Sequence, residues 1–108
     1  MKVGEKWLRV EAKHLVGVIT DKFTTIKNAI ENAVDQLRGA KDSILKMAHE
    51  GGILVEKSDV ENFIVTHLDE LDSSQHYIRY VEMTFADGSA RYARYLDGIW
   101  TWSDAPFI

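Results

Sequence analysis

The sequence predicts an α+β protein: a long N-terminal helix, a shorter acidic helix and a C-terminal three-stranded antiparallel meander. Three observations carry that expectation. Apolar residues recur in steps of four and three at Ile19, Phe23, Ile26, Ile30, Ala33, Leu37, Ala40, Ile44 and Met47, the heptad spacing that keeps one stripe of a helix against another helix. Ser58-Asp59-Val60-Glu61 has the form of a capping box, and Val60, Phe63, Ile64, Leu68 and Leu71 follow on one helical face. From His76 onward the chain alternates, and Asp87-Gly88 and Asp97-Gly98 each supply a preferred hairpin turn.

A single domain covers residues 1–108 on this reading. Residues 1–20 are read as a strand or extended arm, because Val10, Val16, Val18, Ile19 and Thr20 are β-branched and Gly17 disfavours a helix. A helix starting near Glu5 is the alternative. The long helix occupies 21–50, capped by Thr20 or Asp21 and stopped by Gly51-Gly52, with Gly39 its one weak point. The acidic helix covers 58–72 and the meander 76–103. With both turns taken as two-residue loops, Thr84 faces Arg91, Tyr80 faces Tyr95, and Tyr95 in turn faces Trp100. One sheet face then collects Tyr80, Glu82, Arg91, Tyr95, Trp100 and Trp102.

Apolar residues make up 45% of the chain, enough for a packed core. Cysteine is absent, which removes disulfides, thiolate metal sites and a cysteine nucleophile. Lys13 and His14 interrupt the only apolar run near the N-terminus, so no signal peptide is expected. No run approaches the roughly 18 apolar residues that cross a bilayer, so membrane association is not expected and a cytoplasmic location is. The net charge of −4 argues against nucleic acid as a partner.

No motif in the sequence points to catalysis. His14, His49, His67 and His76 lack metal-ligand spacing, no serine sits in a G-x-S-x-G elbow, and the paired glycines stand at turns rather than in a phosphate loop. No cofactor, metal or catalytic residue is therefore expected. His67 beside Asp69 or Glu70 is the nearest approach to a metal pair.

The expected activity is binding. The partner-binding candidates are Tyr80, Tyr95, Trp100, Trp102 and Arg91 on the aromatic face, and Asp69, Glu70 and Asp72 on the acidic helix. A helix of about 28 residues would run about 42 Å at 1.5 Å per residue, longer than a domain of this size covers. Phe23, Ile26, Ile30, Leu37 and Ile44 are therefore expected to form an oligomer interface, with a dimer favoured. Another protein is the expected partner, engaged in the manner of a small inhibitor or adaptor of a cellular enzyme, as phage accessory proteins act. The alternatives are a ligand-binding or enzymatic pocket lined by Tyr80, Trp100, Arg91 and Glu82, and a purely structural oligomerisation module.

Overall fold

A computed structural model describes residues 2–3, 6–40, 42–71 and 77–107. The elements are β1 (Lys2–Val3), β2 (Lys6–Trp7), β3 (Val10–Val16), α1 (Thr24–Gln36), β4 (Ser43–Glu50), α2 (Lys57–Leu71), β5 (Ile78–Thr84), β6 (Ala90–Leu96) and β7 (Ile99–Ser103). β1 and β2 form a separate two-stranded ribbon, and the other five strands form one sheet in the order β3-β4-β5-β6-β7. β3, β4 and β5 are parallel, while β6 and β7 return antiparallel.

This mixed five-stranded sheet replaces the expected long helix and isolated meander. Residues 21–50 divide into α1, a turn and β4. The turn begins where Leu37 N–H bonds Ala33 O, and Gly39 and Asp42 both take positive φ. Gly39 is thus the end of the helix rather than a weak point inside it. Beyond it, Ile44 and Met47 keep the helical three-residue step by coincidence. The same stretch, Ser43–Glu50, alternates with period two: Leu45, Met47 and His49 point to one face, and Ile44, Lys46, Ala48 and Glu50 to the other.

Both crossovers, through α1 and α2, connect neighbouring parallel strands. Right-handed connections in one direction place both helices on the same face. Ile26, Ile30, Ala33 and Leu37 of the α1 region and Val60, Ile64 and Leu68 of α2 pack there against Leu15, Leu45, Met47, Val81, Met83 and Ala93. Ile26 and Ile30 are 0% exposed. Each such aliphatic side chain contributes about 1.5–3 kcal/mol on burial. The stripe read as an oligomer seam is in this way the inner face of α1 within its own chain, and Ile44, on β4, is buried on the other side of the sheet.

The helix starts also differ from expectation. Phe23, in the left-handed region with φ 53°, precedes α1 without a side-chain cap, and Thr20 Oγ1 instead accepts the N–H of Lys22. At α2 the N–H of Glu56 bonds Asp59 Oδ2, which makes Asp59 the returning arm of the cap, two residues earlier than a cap at Ser58 would place it. Glu61 is left free for the sheet.

The two hairpins show how one residue decides a face. Asp97 and Gly98 both take positive φ, and Tyr95 pairs with Trp100, as a two-residue turn requires. The other turn is longer. Phe85 N–H bonds Ser89 O, Gly88 N–H bonds Phe85 O, and Thr84 pairs with Ala90. Ala86-Asp87-Gly88 is therefore a three-residue loop. The register slips by one, which sets Tyr80 opposite Arg94 and Val81 opposite Ala93.

Gly51 fixes where β3 and β4 end relative to each other. Its φ is +127°, and a Cβ there would lie 2.6 Å from Gly17 O, whereas a Cβ on Gly52 meets nothing within 4 Å. Gly51→Ala is expected to lower stability by about 1–3 kcal/mol, and Gly52→Ala to change it by less than about 0.5 kcal/mol. Urea unfolding of the two variants side by side checks this, and equal midpoints would contradict it.

Candidate functional site

The slipped register separates the residues expected to share a surface. Arg91, Tyr95, Trp100 and Trp102 lie on the helix-covered face, while Tyr80 and Glu82 lie on the other. Tyr80, Glu82, Arg91 and Trp100 therefore line no common pocket. On the covered face α2 occupies the aromatic residues. Trp100 Nε1 donates to Asp69 Oδ1 at 3.0 Å, and Trp100 and Trp102 pack against the core. Arg91 bonds Glu61 of α2 at 3.1 Å and also Asp104, and these carboxylates, Asp104 first, hold the guanidinium still more firmly protonated than usual. Glu70 lies 3.5 Å from His67, whose other nitrogen meets Glu31 of α1 at 3.2 Å while its ring stacks near Phe63. Asp69 thus ties α2 to β7, Glu70 pairs with His67 of its own helix, and Asp72 lies outside the described residues.

The opposite face carries no helix among the described residues. Cross-strand rows there read Val10–Ile44–Tyr80–Arg94–Thr101 and Ala12–Lys46–Glu82–Tyr92–Ser103, followed by His14–Ala48–Thr84–Ala90. The C-terminal segment turns back over the β5–β6 part of this face. Arg94 sits over the Phe107 ring, and Pro106 and Phe107 close a recess of about 120 Å³ with Ile44, Lys46, Tyr80, Glu82 and Tyr92. That is well below the roughly 300 Å³ at which cavities begin to hold a drug-sized ligand. Among the described residues no group of His, Asp and Glu is arranged to hold a metal ion.

Among the described residues, the β3 side of the same face stays open. Val10, Ala12, His14 and Val16 are exposed, Val16 at 65%. Val18 and Leu54, just past the strand ends where Ile19 bridges Ile53, are exposed as well, Leu54 at 75%. β3 is also an edge. Ile44 N–H bonds Arg9 O, so in a parallel ladder the odd-numbered residues of β3 turn their backbone groups to β4. The N–H and C=O of Val10, Ala12, His14 and Val16 point outward, with no strand beside them among the described residues. Sequence reading recognised the alternation of this stretch but assigned it no role. The signal available was the order of hydropathy: Glu11 and Lys13 take the helix-facing positions, while Val10, Ala12 and Val16 take the open ones.

His49 is a second feature that spacing could not reveal. It is 2% exposed at the end of β4, and its Nε2 donates to Gly17 O at 2.6 Å, clamping the end of β3. Its Nδ1 has no partner among the described residues.

These observations define a two-layer α/β sandwich with helices on one face and an open edge of parallel sheet. No family model, curated protein or solved structure matches the chain.

Beside α2, Lys57 Nζ bonds Asp87 at 2.7 Å and Ser89 at 2.8 Å and lies over the Phe85 ring, so the first turn of α2 holds the β5–β6 loop. Lys57 first, then Ser89, keep the Asp87 carboxyl well below the ordinary carboxylate range. A lowered carboxylate pKa contributes stability above the unfolded value of about 3.9 and loses it as pH falls through the folded value. The gap in urea midpoint between the wild type and Asp87→Asn is accordingly expected to be full at neutral pH and to close in strong acid. A gap that widens on acidification would contradict the pairing.

Proposed function

We propose that this chain is a non-enzymatic protein-binding module that works by strand addition: an extended segment of a partner protein pairs with the free edge of β3. The carrying observation is that edge, with seven residues, no proline, outward N–H and C=O groups at alternate positions, and exposed Val10, Val16, Val18 and Leu54 along or just beyond it. Parallel strands are normally covered on both faces, and edge strands are normally shortened, bulged or shielded. An unshielded edge supplies main-chain hydrogen bonds for affinity, and the side chains beside it supply selectivity. An inhibitor or adaptor of a cellular enzyme is the kind of protein this reading describes. The acidic helix is not needed as the contact, since Asp69 and Glu70 already have partners inside the fold.

Ala12→Pro tests the reading with little disturbance to the fold. The Ala12 N–H points away from β4, and proline is tolerated on an edge strand where the N–H faces solvent. The expected result is that affinity capture from lysate of the producing cells yields a protein with the wild type that is lost with Ala12→Pro, while circular dichroism of the two is the same. Capture by a folded Ala12→Pro at wild-type level would refute strand addition at β3.

A further inference from the structure

We infer that the strand received by β3 is β3 of a second copy, paired antiparallel about a two-fold axis at Ala12. This rests on the edge reading above and names its occupant. The outward backbone groups belong to even-numbered residues, so a self-pairing β3 can change register only in steps of two. Each allowed register sets different side chains opposite each other. Centred on Glu11, the strand brings Glu11 against Glu11, and centred on Lys13 it brings Lys13 against Lys13. Like charges directly opposite destabilise a sheet. Centred on Ala12, Glu11 of each copy faces Lys13 of the other. That register is charge-complementary twice over, as a two-fold interface requires.

Backbone geometry supports the same register. Ala12 faces Ala12, and Val10 faces His14 of the second copy. All of these are residues with outward groups, which gives about six new backbone hydrogen bonds. Glu11 and Lys13 then fall at the non-hydrogen-bonded positions, where facing side chains approach most closely. Both are already poised on the helix-covered face. Lys13 Nζ lies 3.3 Å from Glu11 and 2.7 Å from Gln36 Oε1 of α1, and the two side chains are only 19% and 26% exposed. On the open face, Val10 and Ala12 lose the part of their exposure that faces the strand edge. The product is a continuous ten-stranded sheet with all four helices on one side.

Sedimentation across a concentration series tests the inference on the wild type, Ala12→Pro, Lys13→Glu, Glu11→Lys and the double exchange Glu11→Lys/Lys13→Glu. The expected result is a wild-type dimer whose dissociation constant rises about tenfold or more in each single variant. The double exchange should recover most of that loss, because it restores opposite charges across the axis. Mixing Glu11→Lys with Lys13→Glu separates the intermolecular pair from the Glu11–Lys13 contact within one chain: the mixture should associate, because opposite charges then face each other across the axis while the intrachain pair stays broken in both variants, and a mixture no tighter than either variant alone would overturn the charge-paired register. A wild-type dimer indifferent to Ala12→Pro and to both single exchanges would overturn the β3 seam. A wild-type monomer at every concentration would overturn self-pairing; if Ala12→Pro still abolishes partner capture, the edge reading stands without it. A monomer whose capture also ignores Ala12→Pro brings both down.

Discussion

Everything in this molecule depends on two successive crossovers running in the same direction. β3, β4 and β5 are laid side by side in chain order, and right-handed connections then leave α1 and α2 no choice but to share a face. A sheet that reversed its winding after β4 would have one helix on each side and no open surface. Here the apolar faces of both helices converge on Leu45, Met47, Val81 and Met83, and the first strand of the series becomes an edge. The open face and the free edge are therefore two consequences of one topological fact.

The two halves of the sheet meet this fact differently. At the β6–β7 side, α2 reaches across through Glu61 to Arg91 and Asp69 to Trp100, and the returning C-terminal segment brings Phe107 under Arg94. Of these, the Glu61–Arg91 pair is part-buried, while solvent-exposed pairs are each worth little, about 0–1 kcal/mol. The role of these contacts is geometric, since they fix α2 over strands that lie farther from its own connections. At the β3 side α1 lies directly over the helix-facing side of the strand. Arg9 and Lys13 reach Gln36 at the end of α1, and beyond them the strand edge is bare among the described residues.

The sequence carried local features more faithfully than register or length. Alternation in the first 20 residues, the turn at Asp97-Gly98 and the apolar face of α2 all have physical counterparts in β3, the β6–β7 hairpin and the core. The long helix failed because a helical step and a strand alternation coexist in Ser43–Glu50, and only the positive φ at Gly39 and Asp42 separates them. The aromatic surface failed by one residue. Asp87-Gly88 fits a two-residue turn as well as the three-residue loop it forms, and that single slip sends Tyr80 and Glu82 away from Arg91 and Trp100. Of the open edge, only the hydropathy order of Val10–Val16 was present in the sequence. The edge itself depends on which strand lies beside which, and strand order in a mixed sheet is not encoded in local spacing.

The most direct measurement is amide hydrogen exchange in β3, made at a dilution where light scattering reports a single copy. A free parallel edge predicts an alternation along the strand: slow exchange at Glu11, Lys13 and Leu15, whose N–H groups bond β4, and fast exchange at Val10, Ala12, His14 and Val16. Equal protection at odd and even positions in the single copy would mean that something in the chain already covers this edge, and strand addition at β3 would have no place to occur.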